Sequence, residues 1–220
     1  MSEPDHHARE ARILDGFWKA VAEHGWRGAT MARIAQAAHV TLAELRGHAA
    51  CPEALLALSV KAVDRAVLAG TVPSEGESPR DRLFDLLMRR LDQLQPHRAG
   101  VIRFLKELPY DPPLAFWVGT LNDRAMAWML EAAGLGSRGL IGQLRRRGLM
   151  GVWVYTLNAW AKDESPDMAA TMAALDRALG RADQIARSFD PEARRKAAEA
   201  EAPASTGEET PPGEAQGAPS

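Results

Sequence analysis

Cysteine is almost absent from this 220-residue chain, which contains only Cys51. A single cysteine excludes an internal disulfide framework and a cysteine-rich metal site, and it is typical of a reducing compartment. The first ten residues are polar and charged, and no apolar run approaches the ~20 residues that a membrane span needs. We therefore expect a cytoplasmic protein with no stable membrane insertion.

An excess of positive charge is also lacking. The net charge is −2 and the pI about 6.3, so contact with nucleic acid would need a local basic patch. Residues 1–70 carry eight basic and eight acidic side chains, together with five of the six histidines. Residues 190–220 carry three basic and seven acidic side chains and no large apolar residue, which predicts a disordered acidic tail.

Patterns typical of strands are scarce, and apolar residues recur instead at helical spacing. In the first helix these residues are Ile13, Leu14, Phe17, Trp18, Val21 and Ala22. Thr30, Thr41 and Pro52 suit the starts of three further helices, because threonine can cap a backbone N–H and proline lacks one. Later helices are predicted at about 79–93, 97–107, 114–133, 138–162 and 166–188. The pattern predicts an all-α fold of about nine helices.

Helix breakers divide this chain into parts. Residues 1–70 are predicted to form a helix-turn-helix domain, and 71–78, with Pro73 and Gly76, a connector. Residues 79–189 are predicted to form a larger helical domain, followed by the tail at 190–220.

The order of residues in the first part carries a family resemblance. Its segments are Ala22-Glu23-His24-Gly25-Trp26, then Thr30-Met31-Ala32-Arg33-Ile34-Ala35-Gln36-Ala37-Ala38, then Val40-Thr41-Leu42-Ala43-Glu44-Leu45. Together with its flanks, the pattern covers residues 12–65 and resembles the DNA-binding region of TetR-family transcriptional regulators. The resemblance implies a TetR-like fold and duplex DNA as a partner, with the third helix in the major groove. It also implies that residues 79–189 are a ligand-binding and dimerisation domain. The DNA-side residues would be Thr30, Arg33, Thr41, Leu42, Glu44, Arg46 and His48.

Four positions depart from the pattern of that family. His39 stands where glycine is usual in the turn, Arg46 and Ala49 replace aromatic residues, and Pro52 replaces a lysine. In the family, an aromatic residue and the lysine usually contact phosphates, which Pro52 cannot do. Two interpretations therefore stay open, a DNA-binding domain or a unit kept only for packing.

Residues 124–187 show a second, looser resemblance. The segments concerned are Trp128-Met129-Leu130-Glu131-Ala132-Ala133-Gly134, the pair Thr156 and Trp160, and Asp163-Glu164-Ser165-Pro166-Asp167. They are similar to a family of lipid-binding accessory proteins of coenzyme Q biosynthesis. That family has a TetR-like fold, is not known to bind DNA, and uses its pocket for isoprenoid lipids. Its Trp-Tyr stretch is absent here, where Leu140 to Arg147 stand instead.

Aromatic and apolar side chains of the larger domain are candidates for lining a pocket, although such residues also form ordinary cores. A small apolar or lipid ligand would contact Phe104, Phe116, Trp117, Leu121, Trp128, Met129 and Trp153.

The last two helices carry an apolar seam with heptad-like spacing, which fits either an intramolecular contact or a dimer interface. We expect a homodimer, because two adjacent apolar helices at the end of the chain have little else to cover them. The interface residues would be Leu149, Val152, Trp153, Trp160, Met168, Met172, Leu175 and Leu179.

Patterns for catalysis and metal binding are weak. His6-His7 and the pair Asp163 and Asp167 lack partners at nucleophile or metal spacing. Gly134-Leu135-Gly136-Ser137-Arg138-Gly139 satisfies G-x-G-x-x-G, but a dinucleotide site needs a preceding strand, and helices are predicted on both sides. We expect no enzyme, no cofactor and no metal.

The sequence therefore favours a dimeric TetR-like transcriptional regulator, expected to be a repressor. Residues 1–70 would bind DNA, and a small apolar ligand would shift the two recognition helices away from the DNA-competent spacing. The alternative is a lipid-binding accessory protein of coenzyme Q biosynthesis that does not bind DNA.

Overall fold

The computed structural model describes residues 3–71 and 76–188, and these contain nine α-helices and no strand. The helices are α1 (Glu3–His24), α2 (Met31–Ala38), α3 (Leu42–His48), α4 (Pro52–Ala69), α5 (Pro79–Leu94), α6 (Arg98–Glu107), α7 (Pro112–Ala132), α8 (Gly139–Lys162) and α9 (Ala169–Ser188). Short 3-10 turns follow α5 and α6. The all-α prediction is confirmed. The predicted tail at 190–220 and the middle of the predicted connector lie outside the described residues.

Side-chain caps explain where several helices begin. Thr30, Thr41 and Ser78 precede α2, α3 and α5, and each hydroxyl accepts the backbone N–H three residues further on. The Asp111 carboxylate does the same for α7. These bonds satisfy N–H groups that the first turn of a helix leaves unpaired.

The junction between α8 and α9 differs from the sequence prediction. Ser165-Pro166-Asp167 predicts a helix start at 166, but α9 begins at Ala169 because Met168 adopts a left-handed φ of 53°. The Asp163 carboxylate accepts hydrogen bonds from the N–H and the hydroxyl of both Ser165 and Thr171. These bonds tie the end of α8 to the first turn of α9 and hold the pKa of Asp163 far below its usual range.

The described residues up to Asp183 form one compact unit with a single apolar core. Residues 184–188 are the described part of a second unit. Within the first unit, α6 packs on α1 through aromatic rings. The ring centroid of Phe104 lies 5.1 Å from that of Trp26 and 6.2 Å from that of Trp18. The helix-turn-helix segment and the later helices therefore share a core.

Polar contacts and a glycine fix the same junction between α1 and α6. Arg103 donates to the Ala22 carbonyl at 3.2 Å, and Glu107 accepts the Trp26 backbone N–H at 2.8 Å. A Cβ atom at Gly100 would lie 2.4 Å from the Trp18 carbonyl oxygen. A larger residue at position 100 would force the two helices apart, since packed interiors leave no room for it.

We expect Asp163→Asn to lower the thermal unfolding midpoint at neutral pH. An amide has one acceptor oxygen, and its NH2 group faces the donors of Ser165 or Thr171. Folding lowers the pKa of the Asp163 carboxyl. The stability that its ionised form contributes is therefore fully present above the unfolded-state pKa of ~3.9, and it is lost as the pH falls from there toward the lower folded-state pKa.

Thermal unfolding followed by circular dichroism from about pH 7 to about pH 3 measures both effects. The midpoint of the variant should fall less steeply with acid than that of the wild type. Glu164→Gln, at the exposed neighbouring residue, should leave the whole curve unchanged. A variant curve parallel to the wild-type curve would contradict the role assigned to this carboxylate.

Candidate DNA-facing surface and ligand cavity

One residue and its hydrogen bonds set the turn between α2 and α3. His39 is left-handed, with φ 54° and ψ 43°, and its N–H closes the last turn of α2. Thr41 then begins α3. Its hydroxyl accepts the Glu44 N–H at 3.2 Å, and the Glu44 carboxylate accepts the Thr41 N–H at 2.9 Å. This reciprocal capping box fixes the direction in which α3 leaves the turn.

The charged side chains of α2 and α3 differ in whether they are paired. The Thr41 hydrogen bonds lower the pKa of Glu44, so that it stays negative, and its carboxylate lies 3.7 Å from Arg9. Arg33 donates to the Gly28 carbonyl at 2.8 Å. Arg46 is exposed and forms no ion pair within the described part of the chain. It is therefore the one cation that α3 presents.

His48 adds no positive charge at neutral pH. Burial lowers its pKa, and the neighbouring His6, whose ring centroid is 4.8 Å away, lowers it further. Of the seven predicted DNA-side residues, Thr30, Thr41 and Glu44 are engaged in caps. Leu42 and Arg46 project from the exposed side of α3.

A cavity of about 70 Å³ lies among α1, α4, α5, α6, α7 and α8. Its walls are mainly apolar, and three of the seven predicted pocket residues line it, namely Phe104, Leu121 and Trp153. The polar residues on its wall are Ser59, Arg90 and Asn122, which sequence reasoning missed. A signal for Arg90 was available, because it shares one face of α5 with the apolar positions Leu83, Leu87 and Leu94.

Four predicted pocket residues lie elsewhere, which corrects that part of the prediction. Phe116 and Trp128 are 78% and 60% exposed, Trp117 is partly buried, and Met129 is fully buried in the core. Helix α7 is apolar on almost every side. Its sequence therefore does not reveal which residues face the cavity.

The predicted dimer seam is also corrected, because it lies inside a single chain. Leu175 and Leu179 of α9 are 0% and 4% exposed, and Met168 and Met172 are partly covered. The predicted residues of α8 are buried as well, namely Leu149, Val152, Trp153 and Trp160. The heptad-like pattern therefore marks a contact that is largely intramolecular, with only Met168 and Met172 of these residues partly exposed.

Two motifs noted in the sequence have simple structural settings. The glycines at 134–139 connect α7 to α8, so the strand that a dinucleotide site needs does not precede them. His6, His7 and Glu10 place their possible ligand atoms within 4.8 Å of one another at the surface of α1. Over residues 3–71 and 76–188, no helix has both the length and the apolar character to cross a membrane.

Solved structures share the architecture. The TetR transcriptional regulator from Nitrosomonas europaea matches with a TM-score of 0.64 and 21% identity, over 80% of this chain and 98% of its own. A TetR transcriptional regulator from Rhodococcus sp. RHA1 gives a TM-score of 0.55 and 22% identity, over 81% of this chain and 97% of its own. The fold is that of TetR-family regulators. At these identities the likeness concerns fold alone.

A match of sequence is found in the second half of the chain. A family model described as COQ9 matches residues 129–186, which include parts of α7 and α9 and all of α8. This finding confirms the second resemblance predicted from the sequence. No curated protein sequence matches this chain significantly.

We expect His39→Gly to raise the free energy of unfolding by about 0.5–1 kcal/mol. A residue with a Cβ atom pays roughly 1–2 kcal/mol in the left-handed region, and the greater unfolded-state entropy of glycine offsets part of the gain. Urea denaturation measures the change. His39→Ala keeps the Cβ atom but removes the imidazole, and it should bring no gain. Equal gains in the two variants would assign the effect to the imidazole instead of the backbone.

Proposed function

We propose that this chain is a ligand-binding protein of the TetR fold, similar in role to the lipid-binding accessory proteins of coenzyme Q biosynthesis. The observation that carries this proposal is the COQ9 match over residues 129–186, since it is a likeness of sequence as well as of fold. Trp153 and Leu157 fall within the matched range and line the cavity. We assign no reaction to the cavity, because Ser59 accepts from the Trp18 indole at 2.9 Å and faces no base.

The charges of the helix-turn-helix support the same proposal. α3 presents one exposed cation, Arg46, against the negative Glu44. Pro52 occupies the first turn of α4, where it has no N–H to donate to a phosphate. Affinity for DNA depends mainly on cations that displace counterions from phosphates. Helix α3 and the start of α4 therefore supply little of this driving force.

A DNA-binding regulator is the second candidate, because one observation favours it. The caps at Thr30 and Thr41 and the left-handed turn at His39 are local features that a helix-turn-helix uses. Leu42 also remains exposed on α3, where an apolar side chain has no packing role. Under this alternative, ligand binding would alter the spacing of two α3 helices in a dimer.

Two titrations decide between the candidates. We expect farnesol, a short isoprenoid alcohol, to change the intrinsic tryptophan fluorescence, because Trp18 and Trp153 line the cavity. We expect duplex DNA from upstream of the gene to give no salt-dependent anisotropy change. The opposite result is tight DNA binding that weakens with salt and is reduced for every sequence by Arg46→Ala. That result would establish the regulator and reject our proposal.

We also propose a homodimer, through a face of α8 other than the predicted seam. Leu140 and Leu144 are 85% and 61% exposed, and Tyr155 is exposed further along. Gly148 and Gly151 lie between them, with no atom within 4 Å of the position that a Cβ would take. These five residues are three or four apart and so share one face of the helix. An exposed apolar face with small residues at its centre allows a second helix to approach closely.

Leu144→Glu should convert the dimer into a monomer, because two-fold symmetry would bury two unpaired charges. Light scattering at micromolar concentration measures the mass. Ala43→Glu adds the same charge on α3 and should leave the mass unchanged. Leu175→Glu should instead unfold the chain, since Leu175 is buried inside it. A monomeric wild type would rule this interface out.

A further inference from the structure

Arg90 is a buried cation on the wall of the cavity. The residue is 3% exposed, and its Nη1 atom pairs with the Asp64 carboxylate of α4. Its Cζ atom lies 5.2 Å from the ring centroid of Trp153, which lines the same cavity. The ion pair and the indole face together hold the guanidinium in a fixed orientation.

Several hydrogen-bond donors of Arg90 are left over, because only its Nη1 atom has a partner among the described residues. Its Nε atom is buried and has no hydrogen-bond partner among the described residues. Native structures satisfy almost every buried polar group, so the unpaired N–H groups of this guanidinium indicate an acceptor from elsewhere. Arg82 and Arg146 also have a buried Nε atom without a partner, but neither residue lines the cavity.

The remaining polar groups of the cavity also leave donors. The Asn122 oxygen accepts from Trp153 Nε1 and its nitrogen donates to the Val118 carbonyl, which leaves one N–H of the amide without a partner among the described residues. The Ser59 oxygen accepts from Trp18 Nε1, which leaves its hydroxyl hydrogen to donate. Arg90, Ser59 and Asn122 therefore offer hydrogen-bond donors to an acceptor atom of a molecule in this cavity.

Charge balance indicates the kind of acceptor. Asp64 already neutralises Arg90, so a carboxylate ligand would place an unpaired negative charge in a buried site. A carbonyl oxygen can accept from the unpaired N–H groups of Arg90 without adding charge. We infer that the cavity recognises a neutral carbonyl oxygen, of an ester or a ketone, at one end of an apolar ligand. This inference rests on the proposed ligand-binding function and names the polar chemistry of its ligand.

The size of the cavity determines the choice of probe. At about 70 Å³ it is smaller than the roughly 300–1,000 Å³ of typical ligand pockets. A long ligand would require the apolar walls to separate, whereas a compact molecule tests the polar end with less rearrangement. Three probes share one ring: methyl cyclohexanecarboxylate as the neutral acceptor, ethylcyclohexane as the hydrocarbon and cyclohexanecarboxylate as the anion.

The indole N–H signals of Trp18 and Trp153 in a two-dimensional NMR spectrum give the readout, because both rings line the cavity. Trp→Phe variants assign the two signals. We expect the ester to shift both signals and to bind about tenfold more tightly than ethylcyclohexane, with the carboxylate binding most weakly.

A double variant tests Arg90 without leaving Asp64 as an unpaired buried charge. Arg90→Met combined with Asp64→Leu removes both partners, and the advantage of the ester over the hydrocarbon should disappear while hydrocarbon binding remains. Arg80→Met combined with Asp176→Leu is the matched control. It removes an exposed ion pair between α5 and α9, with an N–O distance of 2.6 Å, and it should keep the preference for the ester.

Each contrary outcome has a distinct meaning. Equal binding of ester and hydrocarbon, or a preference that survives the double variant, would reject the role of Arg90 and leave apolar ligand binding intact. Tighter binding of the carboxylate would overturn the charge argument. If no probe shifts either indole, Arg90 is satisfied by water alone and the inference is wrong. Failure of farnesol with success of the ester would reject the isoprenoid proposal only.

Discussion

The docking of α6 on α1 is the contact on which the rest of the structure depends. Gly100 lets the two helices approach to a distance that any Cβ atom would prevent. Trp18 and Phe104 pack together at this junction, and both also line the cavity. Trp26, just beyond the end of α1, is held by its ring contact with Phe104 and by its backbone bond to Glu107. The cavity and the helix-turn-helix are therefore joined through shared side chains.

Local features of the fold could be predicted from sequence, and features set by distant contacts could not. The capping box at Thr41 and the turn at His39 depend on residues only a few positions apart, and the structure has both. The start of α9 was predicted wrongly, because Asp163 draws Ser165 into a different set of bonds. The pairing of Arg90 with Asp64 spans 26 residues, and no local pattern indicates it.

Predictions about surfaces were the least successful for a related reason. Apolar spacing shows that a helix has a covered face, but it does not show what covers it. Leu175 and Leu179 fit a dimer seam and an internal seam equally well, and the structure places them inside the chain. The same ambiguity applies to α7. Phe116 and Trp128 were predicted to line a pocket but are exposed, whereas Val118 and Asn122 line the cavity.

Ligand binding and DNA binding depend on different parts of this fold, so one can be lost without the other. Attraction to DNA rests on a few exposed side chains such as Arg46, and surface substitutions of this kind usually change stability little. The cavity is built from the core itself, including Trp18, Phe104 and Trp153. Substitutions there disturb packing and are costly. A chain of this fold can therefore lose the charges of its recognition helix and keep both its helix-turn-helix geometry and its cavity.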